Sequence, residues 1–213
     1  MASTPSEAFA YRLIVDDVST AYKGFFRIDL VTFRHQTFQG ALSKPLKREL
    51  FGRGQAVLVL LYDLHQRQVL LVEQCRAGAL GHAQSGAAHQ AWLLEPVAGM
   101  IDPGETPIEA CQRETWEEAG CRVSAFEFVC QFYPSPGGSD EILHLYAAQV
   151  DLSQLPALGG AADEDEDIRL HVLSFEAAYQ GLMQGRFNVA STLIALQWLF
   201  FQRQASVDAP DVV

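Results

Sequence analysis

Three carboxylates, Glu114, Glu117 and Glu118, fall within five consecutive residues, next to Arg113. On a helix, Glu114 and Glu118 lie one turn apart on one face with Glu117 beside them, so three negative charges crowd one side of one turn. Like charges at that spacing cost an exposed helix about 0.2–0.5 kcal/mol per pair, and more where water is partly excluded. One reading is a solvated acidic face on which Arg113 pairs with Glu117. The other is a site for a hard divalent cation. Mg²⁺ takes oxygen ligands, keeps several waters, and is shared between one or two carboxylates and substrate phosphates. Such a cation would cancel the self-repulsion of the helix and the charge of a diphosphate, and would help turn water into hydroxide.

The flanking residues predict the helix that positions these groups. Thr106 and Glu109 have the spacing of a capping box, Pro107 sits where the first helical residue needs no N–H, and Gly120 supplies a left-handed stop. The helix is expected over about 107–119, with Ile108, Cys111, Thr115 and Ala119 facing a core.

With 213 residues, 49% hydrophobic and 19% charged, the chain suits one large globular domain, or one domain with a smaller appendage. A formal charge of −11 argues against non-specific nucleic-acid binding, so any phosphate recognition has to be local. Cys75, Cys111, Cys121 and Cys130 form no C-x-x-C pair and read as reduced core residues of a cytoplasmic protein. The first ten residues lack the basic and apolar regions of a signal peptide, which argues against export. Val189–Phe201, the most apolar segment, is too short to span a bilayer and reads as a buried helix.

Along the chain, residues 11–15 and 25–33 have strand character, and with Gly40–Ser43 and the basic run Lys44–Arg53 they suggest a small N-terminal β subdomain over 1–53. Lys44, Lys47, Arg48 and Arg53 read most simply as a solvated loop. Residues 56–62 and 69–74 suggest a hairpin buried on both faces, opening a main domain over 54–213. The stretch 77–91 has no periodicity and reads as a mobile loop, with His82 and His89 as surface histidines. Residues 92–97 lead into the acidic helix, and 122–133 and 142–150 alternate as paired strands around the loop P-S-P-G-G-S-D-E. Residues 168–173 read as a strand, with one helix capped by Ser174 and reaching Met183, and another over 189–203 with Leu193, Leu196, Leu199 and Phe200 inward. The run D-E-D-E-D at 163–167 is unpatterned and, by itself, would be a solvated loop.

Gly99, Glu105, Arg113, Glu114, Glu117, Glu118 and Gly120 reproduce the spacing G-x5-E-x7-R-E-x-x-E-E-x-G, and here the chain resembles the Nudix hydrolases at every fixed position of the Nudix box. The resemblance runs over nearly the whole chain to the ADP-ribose pyrophosphatase branch. It is carried by F-F-R-I-D-L, F-R-H-Q, K-R-E-L-F-G-R-G, S-P-G-G-S-D-E, D-E-D-E-D-I-R-L-H-V and A-S-T-L-I-A-L-Q-W-L. It implies an α/β/α sandwich with a mixed sheet and a homodimer that exchanges its N-terminal strands.

It also implies roles residue by residue. Glu114, Glu117 and Glu118 would hold the catalytic Mg²⁺ ions, or Mn²⁺, with the backbone carbonyl of Ala98, and Glu166 would stand near the metal. Glu164, in an acidic loop, would be the base, with Glu105 and Glu117 as alternatives. Arg76 and, from the other subunit, Arg48 resemble phosphate-binding arginines. Phe25 resembles an adenine-stacking ring, Pro136 the family's marker for ADP-ribose-type substrates, and Glu141 a carboxylate near the terminal ribose. The implied reaction is attack of water on ADP-ribose to give AMP and ribose 5-phosphate. Alternatives are another sugar nucleotide or dinucleotide, such as GDP-mannose or an NADH-like substrate, and a non-catalytic ADP-ribose sensor. Three features depart from the pattern: Cys121 stands for a large aliphatic residue, Pro96 interrupts the strand before Gly99, and the 77–91 loop is long.

Overall fold

The computed structural model describes residues 11–161 and 165–203. They fall into two compact units, one made of the residues up to Gly54 together with Ser135–Glu141, the other of Gln55–Pro134 with the residues from Ile142 on. The loop 135–141, which a linear reading leaves inside the second domain, therefore groups with the first.

The first unit is a three-stranded antiparallel sheet of β1 (Leu13–Lys23), β2 (Arg27–His35) and β3 (Leu46–Gly52), in that order. β1 runs well past the expected 11–15. Irregularities at Val15/Asp17 and Thr20/Tyr22 reset the inside–outside alternation, which hides the strand from a period-two reading. The basic run is also strand rather than loop: β3 pairs with β2 from Arg27↔Gly52 to Phe33↔Leu46, and Lys47 and Arg48 project from it into solvent. Loop 135–141 is tied to β3 by hydrogen bonds from Phe51 N to Gly138 O (2.8 Å) and from Asp140 N to Phe51 O (3.2 Å).

The second unit contains an eight-stranded mixed sheet. β4 (Gln55–Asp63) and β5 (Gln68–Cys75) form the expected buried hairpin, in register at Leu61↔Leu70. Residues 77–91 are not an extended loop: they coil as a 3₁₀ turn (Ala77–Ala79), α1 (Leu80–Ser85) and a second 3₁₀ turn (Ala88–Ala91), elements too short to show a period. His82 and His89 are exposed there. β6 (Trp92–Glu95) pairs with β5 and β7 (Val97–Met100) with β4, and Pro96, lacking an N–H to donate, stands where the chain changes partner.

The helix α2 (Pro107–Ala119) follows as expected. Thr106 N donates to Glu109 Oε2 at 2.8 Å, Glu109 N donates to Thr106 Oγ1 at 3.3 Å, and Gly120 takes φ 66°. Cys111, Thr115 and Ala119 are buried; Ile108, in the first turn of the helix, is 40% exposed. β8 (Glu127–Phe132) is shorter than 122–133 and is bulged between Phe128 and Cys130 against β9 (Ile142–Gln149). β9 runs parallel to β4, which makes the sheet mixed. β10 (Leu158–Gly159) and β11 (Ile168–Ser174) complete it. Ser174 caps α3 (Phe175–Met183), accepting from Ala177 N at 3.1 Å, and α4 (Ala190–Trp198) continues as a π-helical turn over Leu199–Arg203.

Alternation along the strands assigns the two faces. Leu58, Leu60, Val69 and Leu71 pack with α3, α4 and the π turn, where Leu196 and Leu199 are fully buried and Leu193 lies at the margin. Val57, Val59, Leu70 and Val72 pack with Ala110, Cys111 and Ala119 of α2. The result is an α/β/α sandwich. All four cysteines are free, but Cys75, expected in the core, is exposed at the end of β5.

Candidate active site

The acidic side of α2 faces β7. Glu118, fully buried, accepts a hydrogen bond from Ala98 N at its Oε2 (3.0 Å), while its Oε1 is shut off from solvent without a hydrogen-bond partner. Burial raises its pKa well above the ordinary carboxylate value, the Ala98 N–H opposes this, and the charges of Glu166 and Glu114 add to the rise. Glu114, also buried, is pushed up to about 7, chiefly by burial, against the pull of Arg113 and with help from Glu117 and Glu166. A Cβ at position 99 would stand 1.7 Å from Glu114 Oε1, so the glycine is what lets this carboxylate lie against β7.

Arg113 does more than pair with Glu117. Its Nε and Nη2 each donate at 3.0 Å to one oxygen of Glu105, its Nη1 donates to Glu114 Oε1 (2.5 Å) and Glu117 Oε2 (3.1 Å), and its Nη2 reaches the Met100 carbonyl (2.9 Å). One guanidinium thereby fixes the loop before α2 and two of the three clustered carboxylates, Glu114 and Glu117. The hydrogen bond from Arg113 is the main reason Glu105 titrates below its ordinary value. Both Glu105 oxygens are thus held by Arg113.

Arg76 follows β5. Its Nε donates to Glu95 Oε2 at 2.6 Å, and although burial works against its charge, the charges of Glu95, Glu118 and Glu166 keep it fully cationic. Glu166 accepts from Ala161 N at 3.2 Å, and Gly160 N donates to Glu117 O at 3.0 Å, so the chain leading out of β10 is fastened to the last turn of α2. Glu164 lies outside the described residues.

The second unit thus brings Arg76, Ala98, Glu114, Glu117, Glu118 and Glu166 together. Phe25, Arg48, Pro136 and Glu141 belong to the first. There Phe25 is 88% exposed beside Phe26, Arg48 is exposed with Nη1 on Lys47 O, and Pro136 stands in an exposed turn. Glu141 accepts from Arg53 Nε at 2.8 Å, and the Arg53 guanidinium lies 4.7 Å from the Phe26 ring centroid. Sequence reasoning missed two partners, Glu95 and Arg53. Glu95 left a signal as the one acid in W-L-L-E-P-V; Arg53 was hidden in the basic run because Glu141 lies 88 residues away.

The donors on α2 and β7 are all oxygen, as a hard cation requires, and Glu118 Oε1 is a buried acceptor that a cation would satisfy. Among the described residues, no three His, Cys, Asp or Glu side chains enclose a cation by themselves. Residues 52–193 match the NUDIX domain family model.

The chain belongs to the Nudix hydrolase family.

Nudix hydrolases generally use divalent metals. Among relatives, the ADP-ribose pyrophosphatase of Escherichia coli strain K12 is 42% identical over 186 residues, 87% of each chain. That of Haemophilus influenzae is 41% identical over 180 residues, 84% of this chain and 82% of its own. The GDP-mannose pyrophosphatase of Cronobacter sakazakii is 35% identical over 153 residues, 72% and 77% of the two chains. A crystal structure described as that of an ADP compounds hydrolase matches with a TM-score of 0.63 over 91% of this chain and 97% of its own, at 20% identity, a likeness of fold alone. In this Nudix hydrolase, Arg113 joins Glu105, Glu114 and Glu117 of the box, Gly99 lies against Glu114, and Glu118 bonds to Ala98 beside Gly99.

Proposed function

We propose that this Nudix hydrolase cleaves the diphosphate of ADP-ribose to AMP and ribose 5-phosphate, with Mg²⁺ as the working cation and Mn²⁺ able to replace it. The chemistry rests on one observation: the buried, unpartnered Glu118 Oε1 beside Ala98 on the oxygen-rich side of α2. The substrate rests on the likeness to ADP-ribose pyrophosphatases over most of the chain.

Glu114, Glu117, Glu118 and the Ala98 carbonyl would hold the cation, with Glu166 close by. Bound there, it would draw charge from the diphosphate and lower the pKa of a water. Arg76, steered by Glu95, would hold a phosphate. Glu164, in the acidic run 163–167, would take the proton of the attacking water. Phe25 would stack on the adenine, and Arg48 from a second subunit would hold a phosphate. Pro136 and Glu141 would shape the ribose end, with Arg53 holding the Glu141 carboxylate in place. A homodimer is supported by β1, whose Leu13, Val15, Val18 and Tyr22 are all more than half exposed, as expected of a surface that a second copy covers. A cytoplasmic site of action fits the free cysteines, and no helix among the described residues is long and apolar enough to cross a membrane.

The test is hydrolysis of a panel comprising ADP-ribose, GDP-mannose and NADH in Mg²⁺, with products identified. AMP and ribose 5-phosphate formed fastest from ADP-ribose is the expected result. Preference for GDP-mannose would move the substrate to that of the more distant relatives, and binding of ADP-ribose without turnover would make the protein a sensor.

A further inference from the structure

Two buried side-chain oxygens among the described residues lack a hydrogen-bond partner: Glu118 Oε1 and Gln74 Oε1. Leaving a buried acceptor unmet costs stability, so a second orphan asks for a ligand of its own. Strand geometry places it. Successive side chains alternate across β5, and Leu70 and Val72 pack on the face covered by α2. Gln74 is next in that row, and Arg76, whose backbone is still extended (φ −108°, ψ 123°), is the one after. Arg76 lies within electrostatic reach of both Glu118 and Glu166.

The neighbours on either side agree. Gln74 is paired with Leu93 on β6, one alternation from Glu95, which holds Arg76. On β11, the register Arg169↔Glu73 brings Ile168 level with Gln74, two residues beyond Glu166. Gln74 therefore lies on the α2-covered face of β5, between the Arg76–Glu95 pair and Ile168, the first residue of β11, which follows Glu166 by two residues. No titration is involved, since the amide is neutral. Arg76 is committed to Glu95 through Nε, and the structure records no hydrogen bond from it to Gln74.

We propose that Gln74 belongs to the metal site: its side-chain carbonyl accepts a hydrogen bond from a water bound to the cation that Glu118 holds. The inference rests on the metal-site reading given above. Its chemistry is that of an outer-shell ligand. Mg²⁺ keeps several waters, each a strong donor, and a carbonyl fixed on a strand orients one of them. Loss of such a partner typically lowers metal affinity about 10–100-fold.

The test is Mn²⁺ binding to the full-length protein, followed by electron paramagnetic resonance of free Mn²⁺, together with thermal melts in chelator. Gln74→Met keeps the length of the side chain and removes the acceptor, whereas Gln74→Glu keeps an acceptor. The expected result is Mn²⁺ affinity at least about 10-fold lower in Gln74→Met, with the chelator melt unchanged or higher because an unmet polar group has gone, and affinity at or above wild type in Gln74→Glu. Wild-type affinity in Gln74→Met would overturn the proposal and leave the metal site standing. A Gln74→Met protein that both melts lower and binds more weakly would overturn it in favour of a packing role. Absence of Mn²⁺ binding by the wild type would overturn the metal-site reading, and this one with it.

Discussion

Glu114 and Glu118 are held so far out of water that their own charge works against folding, which is tolerable only if something else neutralises it. In chelator, the raised Glu114 pKa favours the folded state while the group is protonated. That contribution is fully present below the unfolded value near 4.5 and is lost as pH rises through the folded value of about 7. Unfolding in chelator should therefore show stability falling by about 2–3 kcal/mol between roughly pH 4.5 and pH 7, and saturating Mg²⁺ should remove most of that fall. Denaturant melts at a series of pH values check this, and a chelator profile flat over that range would contradict it. The spacing of these glutamates was legible in the sequence because a one-turn repeat puts them on one face whatever lies opposite. The reach of Arg113 was not. Its bonds to Glu105 and Met100 depend on how the 100–106 loop folds back on α2, which no periodicity encodes.

The elements that carry the site were legible to different degrees, for physical reasons. α2 was readable to the residue because capping box, N1 proline and left-handed glycine are local chemistry, all present in one short window. β1 was cut short by its irregularities, and the 77–91 segment looked like loop because its helical pieces run three to six residues each. Gly99 shows how an element constrains a residue: β7 can approach Glu114 only where no Cβ intervenes. Gly99→Ala should push the Glu114 carboxylate away and lower Mg²⁺-dependent activity at least about 10-fold, while far-ultraviolet circular dichroism stays that of the wild type. A fully active Gly99→Ala enzyme would show that Glu114 need not lie there.

At the scale of the molecule, the family resemblance implied an α/β/α sandwich with a mixed sheet, but the sequence did not show which strands meet. The parallel pairing of β4 with β9 and the return of loop 135–141 to the first unit join residues 80 or more apart in the chain. In the homodimer proposed above, the apolar side chains that β1 leaves exposed are the partner surface. Leu13→Asp with Val18→Asp should shift sedimentation from dimer toward monomer, and a wild-type protein that sediments as a monomer at all concentrations would remove that surface from the site. The central proposal is metal-assisted hydrolysis at the acidic side of α2, and the decisive measurement is the initial rate of AMP release from ADP-ribose in Mg²⁺ for wild type, Glu118→Gln and Glu164→Gln, each verified as folded. AMP and ribose 5-phosphate from the wild type, with both variants slowed at least about 100-fold, is the expected result. Wild-type rates in Glu118→Gln would contradict it.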